Sequence, residues 1–439
     1  MKKTSSSSQK RRAASPRGEA ASPRSSGALL LGAFLVPLAA HVAVIASKLG
    51  NAPAIPWPQL IPLGVHGVAL LVTWVWLKAL RHTGDVVVLA AAFCLTGLGL
   101  AMQFRLGVYA DAPLLSMGRL AYPIGVAALL ACLLVFGDGR AAILGRMGWI
   151  AYLGAIGALG AMLVLGRRYR GGIYLAGNLN PSEIVKPLMV VFLAAYLSER
   201  REDFSVTRAG IPMPGLSSFL PLLAAWAVPM AMVLWMHDLG LLILLNAVLV
   251  VMLFALTRKA GYLVLGGAGV FAFALLAGKF SAHAQARFAA WRRPFEDSAG
   301  KGWQLCQSLT AFYSGGMWGT GLGRGMPQSV PIVTSDFVYA AFGEEFGFLG
   351  CALLLALYAI LFARGWRIAS NAAGGAFGQL LGAGLVAMLA LQTLLNVGGV
   401  TKAIPLTGIT LPFLSQGGSS LAVSLASVGL LAALSTRSK

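Results

Sequence analysis

Residues Leu239 to Leu256 read Leu-Gly-Leu-Leu-Ile-Leu-Leu-Asn-Ala-Val-Leu-Val-Val-Met-Leu-Phe-Ala-Leu, eighteen residues without a charge. A helix needs about 20 mostly apolar residues to cross the hydrocarbon of a bilayer, where no water is at hand to satisfy its backbone. The run predicts a membrane-spanning helix. Asp238 stands just before it, where a carboxylate can cap the first turn. His237 beside it is expected to be an interfacial polar residue.

Eleven more segments share this character, at roughly 28–47, 59–80, 86–103, 119–137, 147–166, 182–198, 217–236, 260–278, 346–364, 377–396 and 415–435. With 58% hydrophobic and 11% charged residues, the 439-residue chain has too little polar surface for a water-soluble fold. The expected fold is an all-α integral membrane protein, a polytopic bundle of about 12 transmembrane helices. The first span is too long and too far from residue 1 for a simple secretory signal, and no small-residue cleavage site follows it.

Lysine and arginine favour the cytoplasmic side of a membrane. With the N-terminus placed inside, 20 of the 34 basic residues fall on inner segments, 12 on outer ones, and Arg119 and Lys186 lie at or in spans. Both termini are therefore expected in the cytoplasm, and the loop 279–345 outside. The net charge of +20 is largely this bias and suits anionic lipid headgroups. No aromatic-basic module points to nucleic acid. Of the four cysteines only Cys306 lies clearly in an outer loop, so no external disulfide is expected, and no Cys/His cluster has metal-ligand spacing.

Residues 1–27 form a basic tail of Ser, Lys, Arg, Ala and Pro, expected to be disordered. Residues 28–85 hold two helices, and 86–439 a continuous membrane unit. No internal repeat is evident, which leaves an inverted-repeat transporter unsupported. Two connections are long: the inner loop 199–216, with Pro212 and Pro214, and the outer loop 279–345, rich in Trp, Phe, Gly and Gln. A long loop of that composition is expected to be ordered and functional.

Ionisable residues within spans are costly and so are candidates for function. Glu183 and Lys186, three apart at a helix start, share a face and can pair; a purely structural ion pair is the simpler alternative. Glu344 and Glu345 precede an apolar helix, where carboxylates suit the helix dipole, and a pair of acids facing a cavity could also bind a cation. The outer loop offers Glu296 and Asp297 among Arg292, Arg293 and Lys301. A carboxylate beside cations is what glycosyl or phosphoryl transfer requires: a base for the attacking hydroxyl and positive charge for a phosphate leaving group. A solvated charged loop has the same composition. Ser314 to Gly323 is glycine-rich but is no nucleotide-binding loop, since no strand precedes it and no Gly-Lys-Ser/Thr closes it.

Five motifs resemble the shape, elongation, division and sporulation (SEDS) family, which includes RodA and FtsW. Asn180-Pro-Ser-Glu-Ile-Val-Lys186 is similar to its Gln-Pro-Ser-Glu-x-x-Lys, and His237-Asp-Leu-Gly240 to its Pro-Asp-Leu-Gly. Gly302-Trp-Gln-Leu-Cys-Gln-Ser308 is similar to Gly-Tyr-Gln-x-x-Gln-Ser. Ser335-Asp336-Phe337 with Gly343-Glu344-Glu345-Phe-Gly347 resembles Thr-Asp-Phe with Gly-Glu-Glu-Leu-Gly. Leu411-Pro-Phe-Leu-Ser-Gln-Gly-Gly-Ser-Ser420 resembles Leu-Pro-Phe-Ile-Ser-Tyr-Gly-Gly-Ser-Ser. Asn180, His237, Thr334 and Gln416 depart from the pattern, marking a divergent member.

The resemblance implies a ten-helix core over roughly 86–436, with the first two helices and the tail as additions. It implies a peptidoglycan glycosyltransferase of the bacterial cytoplasmic membrane, serving cell elongation or division. The enzyme would polymerise lipid II at the outer face. Asp297 becomes the catalytic acid of the family's Pro-x-x-Asp element, here Pro294-Phe-Glu-Asp297. Glu183, Lys186, Arg292, Arg293, Lys301, Gln304, Gln307, Ser308, Ser415, Gly417, Gly418, Ser419 and Ser420 become candidates to touch substrate. Asp238, Asp336, Glu344 and Glu345 become structural or cation-holding acids. No cofactor is required beyond a divalent cation such as Mg or Mn as one means of meeting the leaving group's charge. The implied partners are lipid II, membrane lipids and a separate class B penicillin-binding transpeptidase. A lipid II flippase and a non-catalytic division scaffold are the alternatives.

Overall fold

The computed structural model describes residues 23–49, 57–110, 116–169, 172–175, 180–208, 211–280, 282–372 and 374–436. Helices α1 (Pro23–Leu49), α2 (Ile61–Ala79), α3 (Val87–Arg105) and α4 (Met117–Phe136) come first. The one-turn α5 (Ile143–Arg146) leads into α6 (Gly148–Leu165), and α7 is Ser182–Glu199. The one-turn α8 (Arg201–Phe204) precedes α9 (Leu216–Trp235), α10 (Leu239–Thr257) and α11 (Ala260–Phe280). Two helices of the long loop, α12 (Ala282–Arg292) and α13 (Trp303–Gly315), follow. The last three are α14 (Val338–Ser370), α15 (Gly375–Val400) and α16 (Gly418–Leu434). Short antiparallel pairs, β1 (Arg167–Tyr169) with β2 (Gly172–Tyr174) and β3 (Thr207–Arg208) with β4 (Ile211–Pro212), decorate two connections.

Among the described residues nine helices are long and apolar enough to span a membrane, and α11 and α16 add two shorter apolar ones. Helix α7 completes the expected twelve; its Glu183, Lys186 and Glu199 lower its apolar character. The protein is thus a polytopic helical membrane bundle. Helices α3 and α15 form its centre, with 89% and 72% of their apolar windows buried, against about a third for α1, α2 and α4. Helix α1 packs on α3, and α4 on α16. Gly429 makes the α4–α16 contact close, since a Cβ there would come within 2.6 Å of the Leu129 carbonyl.

Three expectations are corrected. The tail 1–27 is shorter, because α1 already begins at Pro23, a residue tolerated in a first helical turn; residues 1–22 lie outside the described residues. Helix α14 starts at Val338, eight residues before the expected span, which takes 338–345 out of the long loop. Glu344 and Glu345 therefore do not precede the helix but lie within its second turn, both buried. Their cost is offset locally. Arg105 Nε donates to Glu345 Oε1 at 2.7 Å, and the Met326 amide donates to Glu344 Oε1 at 2.7 Å.

Helix α14 breaks at Gly347, whose φ of +68° suits glycine. The backbone groups freed by the break pair with the glycine-rich stretch. Phe348 N donates to Gly316 O at 2.9 Å, and Thr320 and Gly321 amides donate to the Glu344 and Glu345 carbonyls at 2.9 and 3.1 Å. The stretch that is not a nucleotide loop is thus a backbone patch on a broken helix.

Candidate active site

The candidate site residues collect at the end of the bundle that carries the long loop, in one exposed turn and two buried networks.

The turn is Pro294–Gly302, between α12 and α13. Asp297 is exposed, and its carboxylate Oδ2 accepts from the Lys301 amide at 3.0 Å. Its carbonyl accepts from the Gly300 and Gly302 amides at 3.2 and 3.0 Å. Two glycines permit this curl: a Cβ on Gly300 would come within 2.6 Å of Asp297 Oδ2, and one on Gly302 within 2.8 Å of the Pro294 carbonyl carbon. Below it, Cys306 Sγ donates to the Pro294 carbonyl at 3.3 Å, and Trp291 Nε1 donates to the Lys402 carbonyl at 3.0 Å. The turn is thus tied to α13, and the end of α12 that leads into it is tied to the segment that follows α15. Glu296 points elsewhere and pairs with Arg293 at 3.2 Å on the surface. Arg292 and Lys301 are exposed beside it.

The first buried network starts on α7. Lys186 Nζ donates to Glu183 Oε2 at 2.7 Å and to Gln392 Oε1 of α15 at 3.1 Å. Gln392 Nε2 donates to the Thr410 carbonyl at 3.0 Å, and the Thr410 and Ser420 hydroxyls lie 2.9 Å apart.

Arg287 of α12 organises the second. It donates to the Leu406 and Thr407 carbonyls at 3.2 and 2.7 Å, and its positive charge acts on both Asp238 and Asp336. Asp238 Oδ1 accepts from the Leu241 amide at 2.9 Å, capping α10. Burial pushes the carboxyls of Asp238 and Asp336 up, that of Asp336 to about 6. Burial likewise lowers Arg287, and the two acids oppose that shift. Lys186 and Glu183 also act on Asp238, so the two networks are electrostatically joined.

Several expected substrate contacts face inward. Ser308 is buried and donates to the Val400 carbonyl at 2.8 Å. Ser415 is buried, donates to the Ser335 carbonyl at 2.5 Å and accepts from the Leu411 amide at 2.8 Å. Ser420 is buried against Thr410. Ser308 and Ser415 thus satisfy backbone carbonyls and Ser420 pairs with a hydroxyl, while Ser415 also lines a small cleft with Arg119, Gly417 and Gly418. Gln304, Gln307, Gly417, Gly418 and Ser419 remain half-buried at the surface. Among the described residues no hydrogen bond joins the Asp297 turn to either buried network, and no group of three His, Cys, Asp or Glu side chains could hold a metal ion.

Arg287, Gln392 and Asn396 were not singled out from the sequence. Asn396 Nδ2 donates to the Asp336 and Ile409 carbonyls at 2.8 and 2.7 Å. Two amides four residues apart in the apolar run of α15 are a legible signal, since they must share a face and find partners.

The FtsW/RodA/SpoVE family model, described as cell cycle protein, matches residues 86–439. Peptidoglycan glycosyltransferase RodA of Mycobacterium tuberculosis (strain ATCC 25618 / H37Rv) is 36% identical over 367 residues, 80% of this chain and 78% of that one. Stage V sporulation protein E of Bacillus subtilis (strain 168) is 37% identical over 267 residues, 60% of this chain and 70% of that one. A solved chain, described as "Structural coordination of polymerization and crosslinking by a peptidoglycan synthase complex", is similar at a TM-score of 0.62 and 28% identity. It covers 80% of this chain and 96% of its own length.

Proposed function

The chain belongs to the FtsW/RodA/SpoVE family of cell cycle proteins, and from that premise we propose that it is a peptidoglycan glycosyltransferase that polymerises lipid II, with Asp297 as its general base. The observation that supports the role of Asp297 is its turn at the loop-bearing end of the bundle: the Lys301 amide holds the exposed carboxylate, the Gly300 and Gly302 amides hold the Asp297 carbonyl, and Arg292 and Lys301 are exposed in the same segment.

Two lipid II molecules lie in the outer leaflet with their sugars at the surface. Asp297 takes the proton of the acceptor's GlcNAc 4-hydroxyl as that oxygen attacks C1 of the donor's MurNAc. The C1–oxygen bond to pyrophosphate breaks, and undecaprenyl pyrophosphate leaves with the bonding electrons. Arg292 and Lys301 are free to meet its charge, while Glu296 occupies Arg293. The buried networks hold α7, α10, α12 and α15 in register beneath the turn. Both termini lie in the cytoplasm on this proposal, as the basic bias requires. Cross-linking falls to a separate class B penicillin-binding transpeptidase, in line with the solved relative's synthase complex.

The test is polymerisation of lipid II by the purified chain, with products resolved on a gel. A ladder of glycan strands is expected. No strands, together with movement of labelled lipid II across vesicles, would make the protein a flippase.

A further inference from the structure

At the end of α15 the chain bends at Lys402, whose φ is +64°, and Val400–Thr407 meets both helices that flank the Asp297 turn. This segment is itself held fast. The Ala403 and Ile404 amides donate to the Gly398 carbonyl at 2.8 and 3.1 Å. Just beyond it, Asn396 Nδ2 of α15 donates to the Ile409 carbonyl at 2.7 Å. Carbonyls at and beyond a helix end have no donor within the helix, and here the donors come from side chains of the long loop. Ser308 of α13 donates to the Val400 carbonyl at 2.8 Å, and Trp291 of α12 to the Lys402 carbonyl at 3.0 Å. Arg287 of α12 takes the Leu406 and Thr407 carbonyls at 3.2 and 2.7 Å. The Lys402 charge also acts on Cys306, whose Sγ donates to the Pro294 carbonyl.

Residues 295–301 are exposed, and the bonds inside the turn fix its shape but not its place. A reacting group displaced by about 1 Å can cost about 10²-fold in rate, so a base on such a turn needs a fixed support. That support must come through the helices on either side, α12 ending at Arg292 and α13 beginning at Trp303. We propose that Val400–Thr407 is a strut, and that Trp291 and Ser308 are positioning residues that hold Asp297 in place by fixing α12 and α13 to it. The inference rests on Asp297 being the base. If these bonds did no more than satisfy the carbonyls after α15, they would matter to stability and leave turnover in the folded protein untouched.

Trp291→Phe keeps an aromatic ring, which meets Phe288 edge-on with centroids 6.3 Å apart in the parent, and removes the Nε1 donor. The purified full chain and its variants are compared by lipid II polymerisation over a range of substrate concentrations, below their melting ranges, and by amide hydrogen exchange in detergent. Trp291→Phe should lower kcat about tenfold or more and leave KM within about threefold, because a shifted base impairs turnover and not binding. The Gly300, Lys301 and Gly302 amides, which bond to Asp297, should exchange about tenfold faster, with those of α7 unchanged. Ser308→Ala releases the strut from the other helix and should give the same split; it decides the matter if Trp291→Phe does not fold. Parental kcat in either folded variant, or a rise in KM that accounts for the whole loss, would overturn the proposal. A parent that makes no strands removes the base and this role with it, whereas an active parent with unaffected variants removes the role alone.

Discussion

Lys186 Nζ lies 2.7 Å from Glu183 Oε2 one turn away on α7, with the two side chains only 4% and 11% exposed. The lysine is shared further with Gln392 of α15, so this pair fastens two helices together as well as neutralising itself. Removing one member strands the other charge in a buried site, a loss of about 3–5 kcal/mol. Lys186→Ala should lower the thermal midpoint of the purified protein by several degrees and reduce activity. Arg367→Ala, on the exposed end of α14, should do neither. Equal midpoints for the two variants would count against a buried, paired lysine.

Gly302→Ala tests the turn itself. A Cβ at 302 comes within 2.8 Å of the Pro294 carbonyl carbon and 3.0 Å of the Asp297 carbonyl oxygen. The turn must open to accept it, which moves Asp297. A displacement of about 1 Å at a reacting group can cost about 10²-fold in rate. Gly302 is buried and the clash is with backbone, so the variant should lose more stability than an ordinary surface substitution and, assayed below its own melting range, polymerise far more slowly. Parent-like rates would mean that the curl of this turn does not position the base.

The twelve spans were legible because uncharged apolar runs of helix length are stable in a bilayer and costly to expose to water. The start of α14 was not. Glu344 and Glu345 make Val338–Glu345 look like loop, and only the folded chain brings Arg105 from α3 to offset Glu345. The pairing of Glu183 with Lys186 was readable from their spacing, whereas the third partner, Gln392, comes from 206 residues away. Arg287 was harder still. It is one of several basic residues in the long loop, and nothing local separates it from Arg292 or Arg293. Its role arises when α12 lays it over the Thr407 carbonyl, near Asp238 and Asp336. A motif does not say whether a hydroxyl faces a ligand or a neighbouring protein group, and Ser308, Ser415 and Ser420 each have a protein partner.

Asp336 predicts a pH signature. Burial, with some help from Asp238 and against the Ser335 hydroxyl and Arg287, raises its carboxyl from the ordinary 3.8 to about 6. The folded state therefore holds this proton more tightly than the unfolded one. The stability this contributes is fully present below about 3.8 and is lost as pH rises through about 6. Asp336→Asn lacks that titration. Its thermal midpoint relative to the parent should rise between pH 4 and pH 7 and level off above. A difference that stays flat over that window would show that Asp336 is not so perturbed.

Topology is open to a direct check. A cysteine placed at Lys301, beside Asp297 in the exposed turn, should react with a membrane-impermeant maleimide in intact cells, in a background where the four native cysteines are replaced. Labelling that requires opened cells would invert the bundle and remove the active site from the outer face.

The central claim is that Asp297 is the base. A positioned carboxylate accelerates proton removal from a poor nucleophile by about 10²–10⁴-fold. Asn keeps the shape and can still accept the Lys301 amide, but it cannot take the hydroxyl proton. Glu296→Gln is the matched control, because Glu296 is the adjacent exposed carboxylate and is turned toward Arg293. The deciding measurement is lipid II polymerisation by purified parent, Asp297→Asn and Glu296→Gln, scored as glycan chains on a gel beside lipid II binding. The prediction is that Asp297→Asn binds lipid II but makes no chains, while Glu296→Gln polymerises at close to the parent rate. Chains from Asp297→Asn at the parent rate would contradict the assignment, and their loss in Glu296→Gln alone would move the base by one residue.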